Sequence, residues 1–188
     1  MWKLLFLFST IPIVASLAAR WWFGLRVLTQ YGGRPCKCDL ARWNPPAAEG
    51  EVIQREEQSA YEFGRQLRLK ALEEWKEVDP KGAASRASSK RFGMAVPPLS
   101  AIVATMAVVV AKIPLFGAVS CALAATSLAA VLGILSLAPE LAAINRLVRK
   151  FRESRCFPRS DDEEAAIRCA TAHAWKESLP PVIAMFQR

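Results

Sequence analysis

Residues 92–139 read FGMAVPPLSAIVATMAVVVAKIPLFGAVSCALAATSLAAVLGILSLAP and hold one charged side chain, Lys112. A bilayer core takes about 20 apolar residues per helical crossing. The run is long enough for two crossings, and Lys112-Ile113-Pro114 supplies the turn between them. The expected crossings are residues 93–111 and 115–138, a transmembrane hairpin. Pro97 and Pro98 fall near the start of the first, where proline is tolerated. The fold class is therefore expected to be an all-α membrane protein.

Upstream, residues 4–19 are apolar and uncharged, and Trp21, Trp22 and Phe23 follow. Aromatic residues of this kind sit at the headgroup level of a bilayer. Residues 1–22 read as an N-terminal transmembrane anchor or, alternatively, as a signal peptide with Lys3 before its apolar stretch. Arg20, Arg26, Arg34 and Lys37 follow the stretch, and cytoplasmic flanks are the ones rich in Lys and Arg. A retained anchor with an outside N-terminus is the favoured expectation. Lys90 and Arg91 precede the hairpin, and Arg146, Arg149, Lys150 and Arg152 follow it. Both flanks are thus expected on the cytoplasmic side.

Between anchor and hairpin, residues 23–50 read as loop, with Gly32-Gly33, Pro35 and Pro45-Pro46 as breakers. Residues 51–79 carry apolar side chains at Ile53, Ala60, Phe63, Leu67, Ala71, Trp75 and Val78. Those steps of three and four mark an amphipathic helix. Its other face (Arg55, Glu56, Glu57, Arg68, Lys70, Glu73, Glu74, Lys76) is expected to be solvated, and Asp79-Pro80 to end the helix. Residues 80–92, small, polar and basic, read as a linker. Residues 139–188 form a helical tail. It has a break near Phe157-Pro158, a helix over 161–178 with acidic residues in its first turn, and a short apolar end at 182–186.

Gly117, Cys121, Ala125, Ala129 and Gly133 recur every fourth residue. Small stripes let helix backbones approach closely in lipid. This one is expected to pack on the other helix of the hairpin or, alternatively, to dock another subunit.

The net charge of +8 lies beside the apolar segments, and no basic run alternates with aromatics, so no nucleic-acid partner is expected. Five cysteines, an odd number, do not form a secreted disulfide pattern and suit a reducing compartment. With a single histidine, His173, catalysis through paired histidines is excluded. Cys36, Cys38, Cys169 and His173 are weak metal candidates, since Cys169 and His173 stand one helical turn apart. Isolated cysteines are more simply small apolar residues. No cofactor is expected. Glu62 and Glu140 are the carboxylates that stand out, each readable as an ordinary helix charge.

The layout resembles the bacterial membrane-bound neutral zinc metallopeptidases (YugP-like). Members carry a His-Glu-x-Gly-His helix before a hairpin and a Pro-Val-Glu-Phe-Asp-Ala-Ser-Arg-Arg stretch after it. Here the first falls on Tyr61-Glu62-Phe63-Gly64-Arg65 and the second on Pro139-Glu140-Leu141-Ala142-Ala143-Ile144-Asn145-Arg146. The hairpin and tail, about 93–175, carry most of the likeness. The resemblance implies Glu62 in the position of the base and Glu140 in that of the third zinc ligand. The two histidine positions hold Tyr61 and Arg65, and an arginine cannot give up its proton to bind a cation. The last helix, apolar in the family, here carries Arg168, His173, Lys176 and Glu177. The implied protein is a protease-like scaffold without protease chemistry in the bacterial inner (cytoplasmic) membrane, with Tyr61, Glu62, Arg65 and Glu140 vestigial. It would act as an accessory to another membrane subunit or to a second copy of itself. The alternatives are an unrelated small structural subunit of a membrane complex and a Cys/His metal-binding membrane protein.

Overall fold

The structure, a computed structural model, describes residues 2–43 and 56–179. The breakers Pro45-Pro46, the start of the amphipathic stretch at 51–55 and the apolar end at 182–186 lie outside the described residues. In chain order the elements are helix α1 (Trp2–Ala19), a π-helical turn (Arg20–Leu25) and α2 (Arg26–Tyr31). Then come strand β1 (Pro35–Lys37), α3 (Leu40–Trp43), strand β2 (Glu57–Ser59) and α4 (Ala60–Val78). Four helices complete the chain: α5 (Pro80–Val109), α6 (Leu115–Leu135), α7 (Leu137–Ser154) and α8 (Ser160–Lys176). Among the described residues three stretches are long and apolar enough to cross a membrane: Trp2–Tyr31, Pro80–Val109 and Leu115–Ser154.

The chain divides into two units. The first comprises residues 1–20, 85–137 and 177–188. Here α1 and α6 run side by side in the same direction. The Trp2 ring lies 3.0 Å from where a Cβ on Gly117 would sit, Phe6 stacks on Phe116 at 5.5 Å, and Ile13 and Leu17 pack with Ala130 and Leu179. The interior is small and weakly polar: Ser9, Ser16, Ser120, Ser127, Ala104, Ala118, Ala129 and Ala130 are buried. Three of these hydroxyls donate within their own helices: Ser9 to the Leu5 carbonyl (2.6 Å), Ser16 to Ile13 (2.8 Å) and Ser120 to Phe116 (2.8 Å). Leu7, Phe8, Ile102, Val103, Met106, Leu128 and Leu135 face outward.

Two glycines of the small stripe have close neighbours within this unit. Gly117 meets α1, Gly133 lies against the Ser178 carbonyl, and Cys121 and Ala125 are only half-buried. The parallel course of α1 brings the Trp2 indole over Gly117, which has no side chain.

The second unit comprises residues 21–84 and 138–176. Its helices bury large apolar side chains. Trp43 packs on Phe63 (5.2 Å), Phe151 (5.0 Å) and Phe157 (5.6 Å), ring centre to ring centre. Leu67, Ala71, Trp75, Ile144, Leu147 and Val148 extend this core. A two-stranded antiparallel pair, Pro35↔Ser59, Cys36↔Gln58 and Lys37↔Glu57, sits at its edge.

Several expectations are corrected. The fold is not purely helical, because residues 35–38 alternate exposed and buried, the period of a strand. The loop expected over 23–50 begins only after Tyr31, since the helix continues through the π turn and α2. The linker expected over 80–92 is helix. Asp79 closes α4 and opens α5: its backbone N–H donates to the Trp75 carbonyl (2.8 Å) and its side chain accepts from the Gly82 N–H (2.9 Å). Pro80 then occupies the first helical position, where its missing N–H costs nothing. The third crossing ends at Leu135, and α7 starts at Leu137. The amphipathic stretch forms a helix from Ala60, and the tail helix forms over nearly its expected residues.

Candidate functional site

Helix α4 carries three of the residues that sequence singled out, Tyr61, Glu62 and Arg65. Ser59 caps it, accepting from the Glu62 N–H at 3.4 Å. Ala60, Phe63, Gly64, Leu67, Arg68, Ala71 and Trp75 are its buried positions. Gly64 marks a close helix crossing: a Cβ there would stand 2.5 Å from the Cys169 Cβ and 2.7 Å from the Ala170 backbone nitrogen on α8. Helix α8 suits that approach because five of its eight buried residues are alanines, Ala165, Ala166, Ala170, Ala172 and Ala174.

Tyr61 and Arg65 each have a partner within the unit. The Tyr61 ring stands edge-on to His173 with centres 4.4 Å apart. The Tyr61 carbonyl lies 3.2 Å from His173 Nε2, and since a carbonyl only accepts, Nε2 carries the proton. Arg65 donates to Glu62 Oε2 at 3.2 Å, both side chains being half-exposed. Glu62 is thus an ordinary helix ion pair, of the kind that contributes little stability.

Glu140 is the exception. Its side chain is fully buried, and Arg68, 4% exposed, donates to Glu140 Oε1 from Nη2 at 2.7 Å and from Nε at 2.7 Å. Arg68 therefore does not belong to the solvated face of α4 where its charge placed it. Steps of four, four, three and four link Ala60, Gly64, Arg68, Ala71 and Trp75, so Arg68 lies on the apolar stripe. That spacing was the available signal. Glu140, read as a charge at the end of a crossing, lies in the core of the second unit instead.

Four of the five cysteines lie in the same unit. Cys36 on β1 and Cys38 just after it are buried, as are Cys156 and Cys169. The Asp39 N–H donates to the Cys156 carbonyl at 2.9 Å, and Cys156 Sγ lies 3.0 Å from the Ser154 hydroxyl. Burial pushes the Cys36 thiol up to about 11, helped by Asp162 and partly offset by Arg34. Burial pushes Cys38 up to about 12, helped by Cys156 and Asp39 and partly offset by Lys70. Cys169 is raised to about 11 by burial and then by Cys36.

Arg65 is cationic and pairs with Glu62, Glu140 is engaged by Arg68, and the protonated nitrogen of His173 faces the Tyr61 carbonyl. Among the described residues no three His, Cys, Asp or Glu side chains converge as metal ligands do. Cys36, Cys38 and Cys169 are thus all buried in the second unit.

No family model, curated protein or solved structure matches the chain.

Proposed function

We propose that this chain is an integral membrane scaffold that acts by binding, with a protease-like layout and no protease chemistry. The observation that carries the reading is the buried Arg68–Glu140 pair. The carboxylate in the ligand position is neutralised by a guanidinium rather than by a metal. An arginine keeps its charge at any physiological pH, so the pair offers neither a base nor an open coordination site.

Three apolar stretches and the distribution of Lys and Arg support a topology in the bacterial inner membrane. The N-terminus lies outside, and the polar residues lie mainly on the cytoplasmic side. In this topology α1 and α6 run in the same direction, from outside to inside. The occupant of the scaffold is another membrane subunit or a second copy of the chain.

Zinc analysis together with casein hydrolysis by the purified protein tests the reading. We expect substoichiometric zinc and no hydrolysis. Stoichiometric zinc accompanied by hydrolysis would overturn it. Native mass measurement in mild detergent then separates a lone chain from an assembly.

A further inference from the structure

The first unit buries a cation whose counter-charge none of its described residues supplies. Arg20 is 7% exposed, and its Nε and Nη1 are covered and without a hydrogen-bond partner. Leaving buried donors unpaired costs free energy, and far more so when the group is charged. Arg20 continues the face of α1 formed by Ile13, Ser16 and Leu17. Ile13 and Leu17 pack with Ala130 and Leu179, so Arg20 projects toward the C-terminal end of α6.

A second buried arginine reaches that same end. Arg86, 4% exposed, donates from Nη1 to the Gly133 carbonyl (2.8 Å) and the Ser136 hydroxyl (2.6 Å). Gly133 is three residues beyond Ala130, as Arg20 is three beyond Leu17. With 1.5 Å of rise per residue, both guanidinium groups fall within about one turn of the end of the α1–α6 pair. Across its three segments this unit has a single side-chain carboxylate, Glu177. Lys90 pairs with it at 3.2 Å.

The depth of this end follows from the neighbouring sequence. Trp21, Trp22 and Phe23 come directly after Arg20 and are about half exposed, which is how residues at the headgroup level behave. Lipid phosphates lie at that level, and the planar guanidinium fork matches a phosphate in two-bond geometry.

We propose that the Arg20–Arg86 end of the first unit is a binding site for the phosphate of an anionic phospholipid, with Arg20 as its principal donor. The headgroup enters from the rim, through the part of Arg20 that remains exposed, and supplies the anion that the unit's own described segments lack. The inference rests on the membrane reading above.

The test uses the full chain purified in mild detergent and native mass spectrometry with added phosphatidylglycerol or phosphatidylcholine. We expect the wild type to retain phosphatidylglycerol at least about fivefold better, the ratio that one basic residue near an anionic surface supports. Arg20→Gln removes the preference, whereas Lys112→Gln, in the exposed turn between α5 and α6, keeps it. Equal retention of the two lipids by the wild type overturns the proposal, and so does a preference that survives Arg20→Gln. Displacement of phosphatidylglycerol by millimolar inorganic phosphate would reveal a free-anion site and overturn the lipid assignment. If Arg20→Gln does not fold, the wild type's rise in melting temperature with phosphatidylglycerol over phosphatidylcholine decides the matter. No such rise counts against the site. A chain that stays in the membrane fraction but shows no lipid preference refutes this inference alone and leaves the membrane reading standing.

Discussion

The two units bury opposite kinds of residue. The first puts serine, alanine and glycine inside and leucine, isoleucine, valine and phenylalanine outside. The second puts Phe63, Leu67, Ile144, Phe151 and Phe157 inside and most of its charges outside. The difference lies in the solvent each unit is built for. In water, burying apolar area drives packing. In lipid that drive is absent between helices, and close backbone approach takes its place.

The buried charges make the same contrast. Arg68 finds Glu140 within the second unit, whereas the first unit's only side-chain carboxylate is engaged by Lys90.

The strongest way to break the comparison is at the ion pair. Arg68→Ala or Glu140→Ala leaves a buried charge alone, and we expect each to destabilise the second unit by about 3–5 kcal/mol. Melting of the purified protein in detergent measures this. The double replacement by leucine should recover most of the loss, because apolar substitutes for a buried pair are often tolerated. If the double variant is as unstable as the single ones, the pair is not an isolated structural unit.

The next largest effect belongs to the outer face of the first unit. Val103 is exposed in an apolar crossing. In a water-facing helix Val103→Asp would be nearly neutral. At the centre of a membrane helix it costs about 2.5–3.5 kcal/mol of insertion. We expect the variant to leave the membrane fraction, and normal insertion would count against the inverted burial.

A smaller effect is expected at Gly64. Gly64→Ala puts a methyl group against the Ala170 backbone, and overpacking of this kind costs about 1–3 kcal/mol. The melting temperature should fall. An unchanged value would mean that α4 and α8 do not cross as closely as described.

The gentlest probe is pH. The Cys36, Cys38 and Cys169 thiols are raised from the ordinary 9.0 to about 11, 12 and 11. The folded chain therefore holds protons that the unfolded chain has released above pH 9. Their contribution to stability is fully present below pH 9 and is lost as pH rises through about 11 to 12. Melting temperature against pH should fall over that window, and replacing the three cysteines with alanine should flatten the fall.

Much of this architecture was legible in the sequence because hydrophobic spacing reports burial directly. Residues 92–139 announced two helices apolar enough to cross a membrane, and the steps of three and four from Ala60 to Trp75 announced α4. Other parts were not legible, for identifiable reasons. Asp79-Pro80 is a stop signal and a start signal in the same letters, so residues 80–92 read as linker although they are helix. Arg68 was assigned by its charge when its position on the stripe was the better guide. The strand pair joins residues far apart in the chain, and three-residue strands carry little pattern of their own. Arg20 read as flanking positive charge and Arg86 as part of the basic linker over 80–92; their burial depends on the packing of α1, α5 and α6, which spacing alone does not specify.

The central claim is that the first unit is built for lipid. Extraction of membranes carrying the full chain with alkaline carbonate tests it most directly, because that treatment releases peripheral proteins and leaves embedded ones behind. We expect the chain to remain in the membrane pellet, and its release into the supernatant would contradict the account.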